Sequence, residues 1–543
     1  MTALFITLFL PLAGSLLLLF FNKENAKAIK VTALAFSLIS FVTSLFVFFS
    51  FNAQNPGFQF YFEAEWIPSF DAGFRIGLDG MSLMMLMLTT FISPITILSS
   101  FSAIEKRNKE YYIMILILQF AMTGVFISLD LFLFYIFWEL ILIPMYFIIG
   151  IWGGKDKIYA SVKFFLFTIV GSLFMLLAII WLGIYTGVNL LQNSAGFTTN
   201  FIAIRHAVET FPIPLDIQKW MFLAFALSFC IKVPVFPLHT WLPDAHTEAP
   251  TPGSVILAGV LLKMGTYGLV RFNLDLFPQA SIFFASPIAW LAVIGIVYGA
   301  LVSMVQTDVK RLVAYSSVSH LGFVVLGIFS MTAEGIQGGI IQMVNHGLST
   351  GMLFLCVGIL YERRHTREIS EFGGIARVMP AFTVFFAIAM LASVGLPGLN
   401  GFVGEYLTLL GAFTSPVLNS WVYTIIAATG VIFAAVYLLW MFQRVMFGTN
   451  DNPKNQGLKD LTKKEWATLV PIVIFIVWIG VFPRTFLNIS ENSSRRLVNK
   501  IMFIKTGIKP YMELEKAYPL PQFQSTPVKQ EVKEMPKRSR LKE

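Results

Sequence analysis

Apolar runs of about 20 residues recur along most of this chain, and no other feature of the sequence limits its fold as strongly. A helix of that length crosses the hydrocarbon core of a bilayer. The composition agrees, because 56% of the 543 residues are hydrophobic and only 13% are charged, whereas a soluble domain carries about a quarter charged residues. The sequence therefore predicts an all-α polytopic membrane protein.

About fourteen candidate transmembrane spans can be delimited. They are 2–21, 30–51, 79–101, 111–129, 131–150, 160–186, 217–237, 251–275, 281–305, 309–330, 335–361, 380–410, 420–447 and 466–487. The first span lacks a basic leading segment and a small-residue cleavage site, so we expect it to be retained rather than removed as a signal peptide. Residues 52–78 alternate polar and aromatic side chains, which predicts a surface hairpin, and residues 488–543 form a basic polar tail.

The distribution of basic residues predicts the orientation. Loops after odd-numbered spans are rich in Lys and Arg, whereas loops after even-numbered spans hold only Arg75, Arg205, Lys219 and Arg271. Cytoplasmic loops carry the basic excess in membrane proteins, so both termini and the hairpin are expected outside the cytoplasm. The basic tail conflicts with this orientation, although long terminal segments follow the rule weakly. Because the charges lie in short loops, they predict topology rather than a nucleic-acid partner.

The middle of the chain is predicted to be duplicated. Spans four to eight and spans nine to thirteen are two sets of five, and an odd number of spans gives tandem copies opposite orientations. The fourth span of each set is broken at a proline, Pro234 in CIKVPVFP and Pro397 in SVGLPGLNG. Paired broken spans in inverted repeats point to an ion site near the midplane of the membrane. The predicted units are 1–110 (three spans), 111–275 and 280–447 (the repeats), 448–487 (the last span) and 488–543 (the tail).

Six ionisable residues fall inside the predicted spans: Glu139, Lys232, Lys263, His320, His346 and Glu405. A charge at bilayer depth costs roughly 2.5 kcal/mol or more, so these side chains are expected to face protein or water. Lys263 has about 12 residues on either side, which is about 18 Å of helix and beyond the reach of a snorkelling side chain. Static ion pairs for the glutamates and Lys232, and neutral packing for the histidines, remain alternatives.

The types of these buried groups suit proton transfer. Burial favours a neutral lysine and a neutral glutamic acid, whereas a nearby opposite charge favours the ionised form of each. A Glu–Lys pair that forms and breaks therefore moves a neighbouring lysine between its two states, and histidines pass protons between such groups. Cys230 and Cys356 lie in separate apolar runs, so they predict neither a disulfide framework nor an iron–sulfur or zinc site.

The segment HTWLPDAHTEAPTPG (239–253) concentrates ionisable residues on the predicted cytoplasmic side: His239, Asp244, His246 and Glu248. A metal site is conceivable here, but the proline-rich spacing puts no pair of ligands on one helical face. The segment is better interpreted as a loop in which Thr251 caps the next span and Pro252 occupies its first turn. We expect its acidic and histidine groups to feed protons towards the interior.

Five stretches of the sequence resemble the antiporter-like membrane subunits of bacterial NADH:quinone oxidoreductase, the respiratory complex I. They are FYIFWELILIPMYFIIG (134–150), IKVPVFPLHTWLPDAHTEAPTPGSVILAGVLLKMGTYGLVRF (231–272), VKRLVAYSSVSHLGFVVLGI (309–328), NHGLSTGMLFL (345–355) and GLPGLNGFVGEY (395–406). The resemblance covers about residues 1–487, and the tail has no counterpart. It implies fourteen helices, two inverted five-helix repeats and proton translocation.

The resemblance also implies roles for the buried charges. Glu139 resembles the family's fifth-helix glutamate and Lys232 its partner in the broken seventh helix, while Lys263 resembles the central channel lysine. His320 and His346 resemble the connecting relay and Glu405 the terminal acid of the broken twelfth helix. The sister L and N subunits commonly have lysine at that last position, and subunit L adds a lateral helix followed by another span. In the present sequence no apolar span follows residue 487. The acidic Glu405 and the lack of such a span favour the M, or chain 4, branch.

The function implied is proton export coupled to electron transfer from NADH to quinone in other subunits. NADH, FMN, iron–sulfur clusters and quinone would then bind to partner subunits, with no cofactor, metal or catalytic residue in this chain. The expected partners are the other complex I membrane subunits, especially L and N, in the bacterial inner membrane. Alternatives are a subunit of a multi-subunit cation/proton antiporter, an electron carrier that uses His320 and His346 as haem ligands or binds quinone, and a scaffold without transport.

Overall fold

The computed structural model describes residues 1–193 and 195–507, which are almost entirely helical. The helices before the first broken span are α1 Thr2–Leu18, α2 Ala26–Phe49, α3 Gly80–Ala103, α4 Asn108–Ile127, α5 Leu131–Leu140, α6 Leu142–Trp152, α7 Lys157–Tyr185 and α8 Phe201–Thr210. Those that follow are α9 Leu215–Lys232, α10 Trp241–Glu248, α11 Thr251–Ile256, α12 Leu262–Gly268, α13 Pro278–Met304, α14 Val309–Ser330 and α15 Ala333–Arg364. The last are α16 Pro380–Val394, α17 Asn400–Phe413, α18 Val422–Met446, α19 Pro453–Gln456, α20 Lys463–Val481 and α21 Arg484–Thr506.

Eleven helices or continuous helical runs in the described residues are long and apolar enough to cross a membrane. This confirms the predicted all-α polytopic membrane architecture. The other three predicted spans correspond to shorter or interrupted helices, namely α1, α9 with its continuation, and the pair α16–α17. The total of fourteen spans therefore stays a prediction.

One face of the bundle carries the two-stranded antiparallel sheet of β1 Gln59–Ile67 and β2 Ala72–Leu78, within the segment predicted to be a hairpin. We call this face the hairpin face. Arg75 anchors the sheet, because its buried guanidinium pairs with Asp71, Glu63 and Asp130 at 2.6–2.8 Å. Asp130 in turn caps the N-terminus of α5 through the amides of its first turn.

The two predicted repeats correspond to the helices from α4 to residue 274 and from α13 to α18. The first set begins at the face opposite the hairpin and the second at the hairpin face, so the copies are inverted. Each fourth member is broken. In the first set α9 stops at Lys232 and helix resumes at Trp241, across the segment that holds Pro234. In the second set α16 ends at the left-handed Gly395, and Pro397 lies between it and α17.

The eighth predicted span departs from regular α-helix in two places. Residues Leu257–Leu261, between α11 and α12, and Leu269–Leu274, after α12, form π-helical turns. Such turns are rare and often accompany functional sites, because they widen the helix and free backbone carbonyl groups. The first π turn lies immediately before Lys263 in the chain.

The structure differs from the sequence prediction at the C-terminus. Residues 488–506, expected to belong to a polar tail, continue the amphipathic helix α21, which packs across α3, α13 and α15 on the hairpin face. Its buried apolar side chains, Phe486, Ile489 and Ile501, recur at helical spacing, a pattern that the many charged and polar residues of the segment hide. The rest of the predicted tail, 508–543, lies outside the described residues.

Close packing of α21 requires a glycine at the start of α3. A Cβ atom on Gly80 would collide with the backbone carbonyl of Ile489. The Gly80 amide also donates to Ser493 Oγ, and Asn492 Nδ2 donates to the carbonyl of Ala53 beside the hairpin. Helix α21 is therefore fixed to the hairpin face by backbone contacts as well as by apolar packing.

Candidate functional site

Lys263 lies on α12 and is completely buried. Its ammonium group contacts the carbonyl oxygen of Ala258, inside the first π turn, and lies 2.7 Å from His346 Nδ1. The π turn thus supplies a backbone acceptor that a regular helix would have used internally. A buried lysine with one backbone partner and one histidine partner can hand a proton to that histidine without losing all its contacts.

A pair of histidine rings continues from Lys263. His346 on α15 and His320 on α14 are both buried, and their ring centroids are 6.1 Å apart. His346 Nε2 has no hydrogen-bond partner among the described residues. The two rings are therefore neighbours, but no hydrogen bond joins them directly in the described structure.

Glu405 on α17 forms the far end of this chain. Its Oε1 lies 3.0 Å from His320 Nδ1, and Gln342 Nε2 donates to the same oxygen at 3.2 Å. The hydroxyl of Tyr437 lies 3.3 Å from His320 Nε2, so both ring nitrogens of this histidine have partners. We call the sequence Lys263, His346, His320 and Glu405 the relay chain.

The other two predicted charges form a different kind of site. Lys232, the last residue of α9, is buried, and its Nζ has no hydrogen-bond partner among the described residues. The ammonium group instead faces two aromatic rings, at 5.1 Å from the centroid of Trp138 and 5.7 Å from that of Phe164. Glu139, one residue after that tryptophan, is half-buried and acts on Lys232 through its charge rather than through a direct ion pair.

The four ionisable residues predicted in segment 239–253 lie at the face opposite the hairpin, but their contacts differ. Asp244 is tied by ion pairs to Lys163 at 2.7 Å and Arg311 at 3.7 Å. Glu248 accepts a hydrogen bond from the amide of Asp156. These two acids line a cavity of about 310 Å³ together with Asp156, Tyr159, Ala160, Thr247 and Arg311. His239 lies apart from this cavity lining, packed between Phe236 and Tyr298.

His246 lies beneath that cavity and is fully buried, with its ring stacked on Phe354 at 4.7 Å. Neither of its ring nitrogens has a partner among the described residues. Burial lowers the pKa of His246 well below its usual value, and the charges of Lys310 and Lys263 lower it further. The imidazole is therefore neutral at rest, and the charges of Lys310 and Lys263 both disfavour its protonation.

The structure adds polar residues that the sequence analysis missed. Gln342, Asn345 and Tyr437 contact the relay chain or its immediate partners, and Lys310 donates to the carbonyls of Thr247 and Ala249 beside His246. Gln342 and Asn345 could have been identified from the sequence, because uncharged polar residues inside an apolar span also need hydrogen-bond partners. Tyr437 could not, since tyrosine is common in membrane helices.

The described residues contain no group of three or more His, Cys, Asp and Glu side chains that could hold a metal ion. Cys230 and Cys356 are both buried and free, on α9 and α15. The cluster around His246 is therefore better described by its hydrogen-bonding and charge partners than as a metal site.

The part of the chain that matches a known protein family contains the same residues. The family model described as NADH:quinone oxidoreductase/Mrp antiporter, TM, matches residues 128–447, a range that contains the whole relay chain, Glu139 and Lys232. The chain belongs to this NADH:quinone oxidoreductase/Mrp antiporter family. The match leaves out α4 but covers the rest of both repeats, so the broken helices and the buried charges belong to the part that defines the family.

Curated members of the NADH:quinone oxidoreductase/Mrp antiporter family match nearly the full chain. NADH-quinone oxidoreductase subunit M of Rickettsia bellii is 42% identical over 502 residues, covering 91% of this chain and 98% of that protein. NADH-ubiquinone oxidoreductase chain 4 of Marchantia polymorpha is 43% identical over 490 residues, covering 90% and 95%. These similarities confirm the resemblance to subunit M and chain 4 found from the motifs.

Solved structures of the family share the fold. A chain of respiratory complex I from Thermus thermophilus superposes with a TM-score of 0.81 at 32% identity, covering 92% of this chain and 99% of that one. A chain of the Mrp complex from Dietzia sp. superposes with a TM-score of 0.76 at 18% identity, which shows a common fold only. A chain of respiratory complex I and a chain of the Mrp complex thus share the fold of this protein.

Proposed function

We propose that this chain is the proton-translocating, antiporter-like M subunit of an NADH:quinone oxidoreductase. The observation that carries the proposal is the relay chain, in which four buried ionisable side chains follow one another from the last helix of the first repeat into the second repeat. Buried charges are expensive in a membrane protein, and a contiguous line of acid, amine and imidazole is the arrangement that proton transfer needs.

Protons are taken up at the face opposite the hairpin. The positive-inside rule favours the cytoplasm for that face and supports an extracytoplasmic position for the hairpin face and both termini. Asp244 and Glu248 attract protons into the 310 Å³ cavity. His246, neutral at rest, accepts a proton from there and passes it towards Lys263.

The first step of the relay is transfer from the Lys263 ammonium to His346 Nδ1, across 2.7 Å. Before the step Nδ1 accepts from the lysine, so the neutral ring carries its hydrogen on Nε2. After the step the imidazolium N–H at Nδ1 points to the lone pair of a neutral amine. The contact therefore survives in both states, and only the proton has moved.

The second step releases the Nε2 proton of His346 towards His320, the neighbouring ring, and in this proposal a water molecule carries it across the gap. His320 is held between Glu405 and Tyr437, so its Nδ1–H donates to the carboxylate while Nε2 faces the phenol. A proton arriving at Nε2 gives an imidazolium that the adjacent carboxylate stabilises. Glu405 then takes the Nδ1 proton and releases it towards the extracytoplasmic side.

Glu139 and Lys232 control this chain rather than extend it. Lys232 has no hydrogen-bond partner among the described residues, and its charge depends on the aromatic rings of Trp138 and Phe164 and on the carboxylate of Glu139. Protonation or displacement of Glu139 removes the one opposite charge among the described residues that acts on the lysine. We propose that redox events in partner subunits reach this chain as such a change at Glu139.

The proposal includes the setting of the subunit. The complex I relatives support partner membrane subunits and a multi-pass position in the bacterial inner membrane. The L and N types are the partners that we expect. In this proposal NADH, FMN, iron–sulfur clusters and quinone bind to other subunits of the complex, while this chain contributes proton transfer. The units proposed along the chain are three N-terminal spans, two inverted repeats, a last span and the hairpin-face helix α21.

A subunit of a multi-subunit cation/proton antiporter is the alternative, because the family description and the Mrp fold similarity include both classes. Sequence identity favours complex I, at 42–43% over about nine-tenths of the chain against 18% for the Mrp chain. Co-purification in mild detergent separates the two. Flavin and iron–sulfur subunits support complex I, whereas antiporter subunits alone contradict it.

The test of the relay is Lys263→Met in membrane vesicles, with Lys219→Met on the exposed end of α9 as the matched control. We expect proton pumping per NADH oxidised to fall at least tenfold in the first variant, because the amine that starts the relay is gone. The control should pump as the unmodified complex does. Wild-type pumping and quinone reduction in Lys263→Met would disprove the role of this residue.

A further inference from the structure

Three side-chain amides lie behind the last acid of the relay chain. Gln342 Nε2 donates to Glu405 Oε1 at 3.2 Å, and Gln342 Oε1 accepts from Asn345 Nδ2 at 3.3 Å. Asn345 Nδ2 also donates to the backbone carbonyl of Asn400 at 2.7 Å, and Asn400 Nδ2 donates to the backbone carbonyl of Asn345 at 3.3 Å. We call Gln342, Asn345 and Asn400 the amide network.

The amide network is buried between α15 and α17. Gln342 is 3% exposed, and Asn345 and Asn400 are completely buried. The Oδ1 atoms of both asparagines have no hydrogen-bond partner among the described residues, which costs stability. Apolar side chains would pack the two helices together without this cost, so the amides point to a function other than packing.

The direction of the hydrogen bonds in the network is set by the backbone. A carbonyl group only accepts, so the contact with the carbonyl of Asn400 requires the Nδ2 end of Asn345 to face it. The same Nδ2 group reaches Gln342 Oε1, which leaves Gln342 Nε2 turned towards Glu405. The network thus presents an N–H donor to the carboxyl group and disfavours the reversed orientation of the glutamine.

The helix that carries Glu405 is not continuous with the helix before it. α17 begins at Asn400, and Gly395 and Gly398 in the preceding break have left-handed φ angles of 83° and 92°. The backbone of α16 therefore does not by itself fix the position of α17. Asn345 on α15 supplies a direct contact instead, because it binds the carbonyl of the first residue of α17.

Helix α15 also carries part of the relay chain itself. Gln342 precedes His346 by four residues, which is about one helical turn. The packing of α15 on α17 is close here, since a Cβ atom on Gly404 would lie 2.2 Å from Gln342 Oε1. One helix therefore holds a histidine of the relay chain and the amide that binds the acid at its end.

We propose that Gln342, Asn345 and Asn400 are positioning residues for the last transfer of the relay chain. The amide network holds Glu405 Oε1 against His320 Nδ1, which lies 3.0 Å away. A misplacement of about 1 Å can cost about a hundredfold in rate, so this contact has to be kept while the proton moves. Amides neither gain nor lose a proton near neutral pH, so they hold the acid without taking its proton.

The role rests on the proton transfer proposed above, and its test is Gln342→Met in the intact complex. Methionine has a similar length but cannot donate a hydrogen bond. Infrared difference spectra between acid and neutral pH should contain the carbonyl band of protonated Glu405, identified by its absence in Glu405→Gln. In Gln342→Met this band should move to higher wavenumber, because one hydrogen bond to the carboxyl group is lost. Pumping per NADH oxidised should fall roughly tenfold, as expected for one hydrogen bond to a charged group.

Gln342→Asn is the second variant, because it keeps an amide but withdraws it from the carboxyl group. It should shift the band and reduce pumping in the same direction, and it carries the test if Gln342→Met does not assemble. Gln218→Met is the matched control. Gln218 is also 3% exposed, and its amide donates to the carbonyl of Ile213 before α9, away from the relay chain. This control should leave both the band and pumping unchanged.

The two readouts separate positioning from packing. An unchanged band in Gln342→Met, or a shifted band with normal pumping, would overturn the positioning role. A loss of pumping without a band shift would overturn it as well, because altered packing would then explain the loss. Normal pumping in Gln342→Met alone would leave the proposed function intact, whereas normal pumping in Lys263→Met would contradict the relay itself.

Discussion

The two sets of buried charges in this protein are built on different principles. In the relay chain Lys263 contacts His346 and His320 contacts Glu405 directly, and the rings of the two histidines are neighbours at 6.1 Å. At the second site Lys232 has aromatic rings as neighbours, and Glu139 acts on it through its charge rather than through a direct contact. The comparison matches the two roles proposed above: direct contacts suit proton transfer along the relay chain, whereas Lys232 is placed to respond to a change in the charge of Glu139.

The relay chain is the more sensitive of the two to loss of one side chain. His346→Ala removes the acceptor of the Lys263 proton and the ring next to His320, so we expect pumping per NADH oxidised to fall at least tenfold. Fluorescence quenching in inverted vesicles measures this. His206→Ala, an exposed histidine on α8, is the control and should pump normally. A normal His346→Ala would mean that the protons take another path.

Shortening Glu405 and Glu139 in turn distinguishes a site that depends on direct contact from one that depends on charge. Glu405→Asp withdraws the carboxylate from His320 Nδ1, which lies 3.0 Å away, and should reduce pumping roughly tenfold. Glu139→Asp keeps the charge, and a Coulomb interaction without a direct bond changes slowly with distance, so about half of the activity or more should remain. Equal losses in the two variants, measured as pumping per NADH oxidised, would erase the distinction between the sites.

A milder change tests whether Tyr437 orients His320. Tyr437→Phe removes the hydroxyl at 3.3 Å from Nε2, and a hydrogen bond of about 1 kcal/mol predicts a loss of up to about fivefold in pumping. Tyr406→Phe, on the exposed side of α17, is the control with the same chemical change. A loss in the control as large as in Tyr437→Phe would assign the effect to packing.

Ionised side chains that are paired with one another away from the relay chain should not affect transport. Burial alone would raise the pKa of Asp275, but Lys500 and Arg205 hold it below its usual value. Docked α21 therefore binds fewer protons than the undocked helix, so its docking is strong above about pH 4 and weakens as the pH falls further. We expect Asp275→Asn to leave pumping unchanged and to abolish this acid sensitivity.

The mobility of a spin label at Asn499→Cys, an exposed α21 position, measures that docking. In the unmodified background the label should become mobile only in acid. In Asp275→Asn it should show the same mobility at pH 3 and pH 6. An unchanged acid transition in the variant would assign the titration to another carboxylate of the hairpin face.

Much of this arrangement was predictable from the chain. Apolar length predicted the helices, and the expense of charge at bilayer depth selected the residues of both sites. The prolines predicted the two broken helices, since a proline removes a backbone donor and interrupts the helix. Helix α21 was missed because a helix that covers one face of a bundle needs only a narrow apolar stripe, which composition does not reveal.

By itself the sequence determined that this protein crosses a membrane many times and which groups are too costly to be there by chance. Only the tertiary structure decided which of those groups meet. Lys263 and His346 are 83 positions apart, and His320 and Glu405 are 85. Contacts over such separations depend on how helices pack, whereas burial of a charge depends on the span that contains it.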